Sequence, residues 1–124
     1  MDIMLRNTGD SPIYDQITRQ IKGYILSGAL AEGEALPSIR TLARDLRISV
    51  ITTKRAYEEL ERDGFICTVA GKGSFVAQQD VELARESSLR EIEEHLTAAL
   101  ELSRQIELPI GELQNILQVL SEEE

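Results

Sequence analysis

The segment SIRTLARDLRISVITTKRAYEELERDG, residues 38–64, contains two helix starts that lie close together. Ser38 and Ser49 are favourable N-cap residues, because a serine hydroxyl can accept a hydrogen bond from a free backbone N–H of the first turn. Asp63-Gly64 is a favourable helix end, because glycine readily adopts the left-handed conformation found there. Only two or three residues separate the two helices, so the connection must be a tight turn. The segment therefore predicts two consecutive helices joined by such a turn.

The flanking sequence extends this pattern on both sides. Ser11 as N-cap and Pro12 as first helical residue predict an earlier helix, which carries isoleucines at helical spacing. Residues 31–38 lack periodicity and predict a loop. Residues 65–69 and 74–77, separated by the turn AGKG at 70–73, predict a β-hairpin. The whole order predicts a winged helix-turn-helix, whose third helix enters the DNA major groove.

The third helix begins with four β-branched residues, at positions 50–53, which are mediocre helix formers. A helical wheel places Ile51 on the solvent side, opposite a face that should pack in the core: Thr53, Ala56, Tyr57 and Leu60. An apolar side chain in this position can contact a thymine methyl group, although an incidental surface residue is the alternative. Ser49 and Thr52 are short hydroxyl residues that can approach base edges or phosphates. We interpret this first turn as facing the bases.

The charge of the chain is strongly partitioned. The net charge is −9, yet residues 1–79 hold ten basic and ten acidic residues, whereas residues 80–124 hold three basic and twelve acidic residues. Residues 36–57 hold five basic residues and one acid, a net charge of +4. Such a split is typical of a nucleic-acid-binding module followed by a solvated second module.

The acidic C-terminal third predicts two amphipathic helices separated by Leu108-Pro109. Apolar residues recur three and four positions apart in the first of them, as in a coiled-coil seam with one polar member, Ser103. This is more apolar surface than two short helices can bury against each other, so it predicts a symmetric homodimer. The candidate interface residues are Leu89, Ile92, Leu96, Ala99, Ile106, Leu113, Leu117 and Leu120.

Several other classes of function lack a supporting pattern. The single cysteine and the single histidine are 28 positions apart, and Glu93-Glu94-His95 point apart on a helix, so neither a metal site nor an enzyme is expected. GKG is too short for a phosphate-binding loop. No cofactor is expected. Neither a signal peptide nor a membrane-spanning run is visible, and one unpaired cysteine fits the cytoplasm.

The run from PIYDQI through LPSIRTLARDLRISVITTKRAYEELERDGFI to GKGSFVA, within residues 12–77, resembles the DNA-binding domain of the GntR family of bacterial transcription regulators. The short helical tail resembles the YtrA-type branch of that family, which lacks a large effector-binding domain. The resemblance implies a homodimeric regulator. It also implies DNA contacts by Arg40, Ser49, Thr52 and Lys54, and a minor-groove approach by Gly71 and Lys72.

Two positions depart from the pattern of the family. Val50 occupies a position where many relatives carry an arginine that contacts a base. Arg47 occupies a turn position where many relatives carry glycine, so a positive φ there would cost on the order of 1 kcal/mol. The helical wheel, the basic residues and the resemblance together give these candidate DNA contacts: Arg40, Ser49, Val50, Ile51, Thr52, Lys54, Arg55, Gly71 and Lys72.

Together these observations predict a mostly α protein with a small β-hairpin: an N-terminal winged helix-turn-helix domain at 1–78 and a two-helix dimerisation region at 79–124. The predicted function is sequence-specific regulation of transcription, most simply repression, by a homodimer on a pseudo-palindromic double-stranded DNA operator. The alternative is a winged-helix adaptor that binds proteins and not specific DNA. An unidentified small-molecule effector and an activating role both stay open.

Overall fold

The computed structural model describes residues 1–7, 9 and 11–123, without the side chain of Val81. Two compact units divide the chain, one covering Met1–Asp80 and a second beginning at Val81. Within the described residues the first unit holds helices α1 (Ile13–Leu26), α2 (Ile39–Leu46) and α3 (Val50–Arg62) and strands β1 (Ile66–Val69) and β2 (Gly73–Val76). The second unit holds helices α4 (Val81–Gln105) and α5 (Ile110–Glu122).

The core of the first unit forms where the three helices and the hairpin meet. Helix α1 contributes the buried residues Ile17 and Ile21, and α3 contributes Leu60. The other buried apolar residues come from all three helices, the hairpin and the segment between α1 and α2: Ile25, Leu30, Leu36, Leu42, Ala43, Ala56, Tyr57, Ile66 and Val76. Because α1 and α2 both pack against α3, the opposite face of α3 is left open to solvent.

The start of α1 differs by one residue from the prediction. Pro12, not Ser11, is the N-cap: its carbonyl accepts the N–H groups of Asp15 and Gln16 at 3.1 Å, and its extended ψ of 154° lies outside the helix. No side chain caps this end. The Ser11 carbonyl accepts a hydrogen bond from the Gln16 side-chain amide instead.

The chain before α1 is tied down by two glutamine side chains. The amide of Gln20 donates to the Met4 carbonyl and accepts from the Met4 N–H, at 2.8 and 2.9 Å. Gln16 makes the same pair of hydrogen bonds with the backbone of Arg6, at 2.9 Å each. Each side-chain amide therefore pairs with both the N–H and the carbonyl of one backbone residue, which holds the segment that contains Met4 and Arg6 against α1.

Both helices of the helix-turn-helix begin with the predicted caps. The Ser38 hydroxyl accepts the Thr41 N–H, and the Ser49 hydroxyl accepts the Thr52 N–H, each at 3.1 Å. Arg47 ends α2 in the left-handed conformation, with φ 57° and ψ 46°, as the sequence suggested. The N–H of the following residue, Ile48, donates to the Ala43 carbonyl at 3.0 Å, which closes the helix end.

The wing contains one more strand-like segment than the sequence predicted. Strands β1 and β2 pair antiparallel, with Ile66 opposite Val76 and Val69 opposite Gly73. Ala35, expected in a loop, forms a bridge with Phe75 on the other edge of β2. The Leu36 N–H donates to the Ser74 carbonyl, and the Val76 N–H donates to the Glu34 carbonyl, both at 2.9 Å. The loop prediction was wrong at this point because one pair of residues leaves no periodic signal.

The second unit leaves most of its apolar residues in contact with solvent. Helix α4 ends at Gln105, so Ile106 lies one residue beyond the helix that the predicted seam required. Glu107, the next residue, is left-handed at φ 55°, and Pro109 is the N-cap of α5. Exposed apolar residues run along both helices: Leu83, Leu89, Ile92, Leu96, Leu102, Ile110, Ile116, Leu117, Val119 and Leu120.

Across the described residues, none of the helices is both long and apolar enough to cross a membrane.

Candidate nucleic-acid interface

The first turn of α3 presents two apolar side chains to solvent. Ile51 is 81% exposed and Val50 is 47% exposed. On the other face of the same helix Thr53, Ala56 and Leu60 are fully buried. The helical wheel prediction is therefore confirmed, and the exposed pair lies at the end of α3 that enters the major groove in a helix-turn-helix.

The hydroxyl groups of Ser49 and Thr52 are joined to each other. Ser49 Oγ donates to Thr52 Oγ1 at 2.8 Å while it accepts the backbone N–H of Thr52. The proton on Thr52 Oγ1 has no acceptor among the described residues, so this hydroxyl keeps a donor for a phosphate or base oxygen. The cap thus fixes the position of a hydrogen-bond donor at the start of α3.

The basic residues of this face differ in how firmly they are held. Arg40 is exposed and makes no ion pair with any described residue. Lys54 lies 3.9 Å from Glu58, a contact between two exposed groups that contributes little stability. The Arg55 guanidinium lies 3.8 Å from the centre of the Tyr14 ring and its Nε lies 4.0 Å from Glu59.

Tyr14 is a contributor that the sequence analysis missed. It lies in the first turn of α1 and holds Arg55 by a cation–π contact across the α1–α3 interface. Residues 41 positions apart carry no pairwise signal in the sequence, so only the packing of α1 against α3 shows this contact. Arg55 is consequently the candidate DNA contact with the most restricted side chain.

Tyr57 fixes α3 to the chain that precedes α2. Its hydroxyl donates to the Pro37 carbonyl at 2.7 Å. Burial raises the pKa of the Tyr57 phenol to about 12, since the charged form would lose its water. The phenol is therefore neutral and a hydrogen-bond donor at physiological pH, and it holds the segment before α2 against the second half of α3.

The tip of the wing is a tight turn with a free cation. The Lys72 N–H donates to the Val69 carbonyl at 2.9 Å, and Gly71 has φ 75°, a conformation that glycine adopts without strain. One residue pair below the turn, the hydroxyls of Thr68 and Ser74 are 2.9 Å apart. The exposed Lys72 side chain has no ion pair among the described residues.

This collection of groups suits a polyanion with exposed base edges. It combines cations, hydroxyl donors and small apolar side chains on the exposed side of one domain. In the described part of the chain, no group of three or more His, Cys, Asp or Glu residues is placed to hold a metal ion.

The candidate dimer residues lie on the second unit. Six of them are exposed: Leu89, Ile92, Leu96, Ile106, Leu117 and Leu120. Ala99 and Leu113 are half-buried. Ser103, the polar member of the seam, is buried and donates its hydroxyl to the Leu100 carbonyl at 2.7 Å. Because the Ser103 hydroxyl is already hydrogen-bonded within its own helix, this residue can lie in an apolar seam without leaving an unpaired polar group.

Comparison with known proteins gives consistent results for this domain. Residues 13–76 match the model of the family described as bacterial regulatory proteins, gntR family. The chain is 35% identical over 94 residues to the HTH-type transcriptional repressor YtrA of Bacillus subtilis. This alignment covers 76% of this chain and 72% of that protein.

Solved structures show the same fold over different lengths. A crystal structure of a transcriptional antiterminator from Listeria monocytogenes superposes with a TM-score of 0.78 at 32% identity, covering 98% of this chain and 90% of that one. The DNA-binding domain of AraR in complex with operator ORE1 superposes with a TM-score of 0.53 at 26% identity, covering 62% of this chain and 94% of that one.

Proposed function

Since this chain belongs to the gntR family of bacterial regulatory proteins, and so is a DNA-binding transcriptional regulator and not an enzyme, we propose that it represses transcription as a homodimer on a pseudo-palindromic operator. Its place of action is the cytoplasm, where the operator DNA lies. The first turn of α3 enters the major groove, and the wing approaches the adjacent minor groove.

The observation that carries this proposal is the exposed first turn of α3. Ile51 is 81% exposed although the opposite face of the helix is buried in the core, and Thr52 beside it keeps a hydroxyl proton without an acceptor among the described residues. In the major groove the methyl group of thymine is the partner for an apolar side chain, and base or phosphate oxygens accept from a hydroxyl. Val50 adds a second apolar contact at a position where an arginine would select guanine.

The cations around this turn supply the affinity that does not depend on sequence. Arg40, Lys54 and Arg55 lie on α2 and α3, and Lys72 lies at the wing tip. Each phosphate that they neutralise releases condensed counterions, so binding should weaken steeply as salt is added. Arg55 contributes from the position in which Tyr14 holds it.

Dimerisation is supported by the exposed apolar residues of α4 and α5. Leu96 and Leu117 are both exposed, and in a monomer a charged residue at either position would give better solubility. Two-fold symmetry would place two recognition helices on half-sites about one DNA turn, ~34 Å, apart. The acidic charge of the same unit would keep it off the phosphates.

The similarity to the repressor YtrA supports repression, and the AraR operator complex supports DNA binding by the fold. A protein-binding adaptor and an activator are the competing functions. Recovery of bound duplexes from a random pool, by purified full-length protein, separates a regulator from an adaptor, and transcription from a promoter that carries the recovered sequence separates repression from activation. A regulator enriches one pseudo-palindromic sequence and its affinity falls with salt, whereas an adaptor enriches none.

The same selection tests the role of Ile51. Replacement of Ile51 by Ala should relax the preference at one thymine-containing position of each half-site, at a cost of about 1 kcal/mol. Thr53, which is buried on the opposite face, is unsuitable as a control, so the exposed Leu102 of α4 serves instead. Leu102→Ala should leave the selected sequence unchanged. An unaltered sequence for Ile51→Ala as well would contradict base contact by this residue.

A further inference from the structure

Arg47 is held in a conformation that favours glycine. Its φ of 57° and ψ of 46° lie in the left-handed region, where a side chain costs on the order of 1 kcal/mol. The backbone N–H groups of Arg47 and Ile48 complete the end of α2, a task that any residue able to adopt this φ performs. The side chain of Arg47 is not needed for that closure.

No contact inside the domain accounts for the arginine side chain. It is exposed and has no hydrogen bond, ion pair or ring contact with a described residue. Arg19, Lys22 and Arg55, by contrast, each have an acidic partner or an aromatic ring nearby. The fold therefore tolerates a strained residue at this position without using its charge.

The charge of Arg47 continues a row of basic residues. Arg40 and Arg44 are four positions apart, a spacing that places them on one side of α2, away from its buried Leu42, and Arg47 follows directly after the end of the helix. Arg44 lies 3.7 Å from Asp45, and both groups are largely exposed. The end of this row is two residues before Ser49, the cap of the helix proposed to enter the groove.

We propose that Arg47 binds a DNA phosphate from the turn between α2 and α3. In helix-turn-helix proteins the first helix crosses the sugar–phosphate backbone while the second enters the major groove, so the turn between them faces a strand. A phosphate contact positions the protein without selecting sequence. This inference rests on the proposed function, and it adds a residue that the candidate DNA contacts did not include.

The test compares Arg47→Gly with Arg47→Lys in the full-length protein. Titrations use two duplexes, one recovered from the random pool and one of mixed sequence, at several salt concentrations between about 50 and 200 mM. Arg47→Gly should fold at least as stably as wild type, because glycine relieves the left-handed strain. The plot of log affinity against log salt should be shallower for Arg47→Gly than for wild type, its negative slope being smaller by about 0.9. The affinity at about 0.15 M salt should drop roughly fivefold on both duplexes.

Arg47→Lys keeps the charge and the strain, so its slope should stay at the wild-type value. Arg104→Ala removes an exposed charge from the second unit and should also leave the slope unchanged. An unchanged slope in Arg47→Gly overturns the phosphate contact while leaving the proposed function intact. A wild-type protein without salt-dependent binding overturns the proposed function and the contact together.

Discussion

Ser38 and Ser49 begin the two helices of the helix-turn-helix with the same arrangement of hydroxyl groups. In each case the serine hydroxyl accepts a threonine N–H three residues on and donates to that threonine's own hydroxyl at 2.8 Å. The two caps are therefore equal as contributors to stability. Only the cap at Ser49 lies on the helix proposed to contact bases, so the pair separates structural from DNA-binding roles.

Replacement of either serine by alanine should lower the free energy of unfolding by about 1 kcal/mol, because one free N–H of the first turn loses its acceptor. Chemical denaturation measures this loss. Ser49→Ala should in addition change the sequence recovered from a random DNA pool, since Thr52 loses the hydroxyl that orients it. If Ser38→Ala changes the recovered sequence to the same degree, Ser49 acts only as a cap.

The raised pKa of Tyr57 predicts a dependence of stability on alkaline pH. Its pKa is about 12 in the folded protein, against 10.0 for a free phenol, so the unfolded chain loses this proton at a lower pH than the folded protein does. The stability that the folded protein gains from the neutral, buried Tyr57 is complete below pH 10 and is lost as the pH rises through about 12. Denaturation of wild type should show the loss over this window, and Tyr57→Phe should lack it.

Tyr57→Phe should also be less stable at neutral pH by about 1 kcal/mol, because the Pro37 carbonyl loses its hydrogen bond. Tyr24→Phe is a matched control, since the Tyr24 hydroxyl donates to the exposed backbone of Asp2. Because this variant keeps Tyr57, it should show the same alkaline loss of stability as wild type. Equal alkaline behaviour of wild type and Tyr57→Phe would contradict the assignment of the titration to Tyr57.

At the scale of the element, the wing is braced from one side by the segment before α2. Ala35 pairs with Phe75, and this bridge is flanked by two backbone hydrogen bonds, one accepted by the Glu34 carbonyl and one donated by the Leu36 N–H. A two-stranded hairpin alone is marginal in water, so the added pairing stabilises the wing. The added pairing thus supports the hairpin below the turn that carries Lys72.

Lys72→Ala should weaken binding to every duplex by a similar factor and lower the salt slope by roughly one unit, because one phosphate contact is removed. Titration against a selected duplex and a mixed-sequence duplex measures both effects. Arg90→Ala, which removes an exposed charge from α4, is the control and should leave the slope unaltered. Unchanged affinity and slope in Lys72→Ala would mean that the wing does not contact DNA.

At the scale of the whole molecule, charge and apolar surface are divided between the two units. Residues 1–79 are neutral overall with a basic stretch at 36–57, whereas residues 80–124 carry the net charge of −9. The exposed apolar residues of α4 and α5 accompany that negative charge. This division fits a DNA-binding unit joined to a unit that associates with a second copy.

Leu96→Glu should therefore convert the protein into a monomer, because a buried carboxylate at a symmetric interface faces its own copy. Sedimentation at micromolar concentration measures the oligomeric state. Ala98→Glu, at an exposed position of the same helix that the heptad pattern turns away from the seam, should leave the dimer intact. The Leu96→Glu monomer should also bind a pseudo-palindrome more weakly, since two linked half-sites gain from effective concentration. A wild type that is monomeric at this concentration would contradict the dimer.

Local interactions explain what the sequence alone determined. The caps at Ser38 and Ser49, the left-handed Arg47, the exposed Ile51 and the hairpin all depend on residues within a few positions of one another. Their side-chain chemistry and spacing act before any tertiary contact forms, so the helix-turn-helix order and the solvent face of α3 could be predicted.

Long-range packing decided the remainder. The pairing of Ala35 with Phe75, the amide contacts of Gln20 with Met4, the stacking of Arg55 on Tyr14 and the Tyr57–Pro37 hydrogen bond each join residues at least sixteen positions apart. No local propensity specifies such a pair, because the partners meet only after α1 and α2 have packed against α3. The sequence therefore determined which face of α3 is free, while tertiary structure decided how firmly its cations and hydroxyls are held.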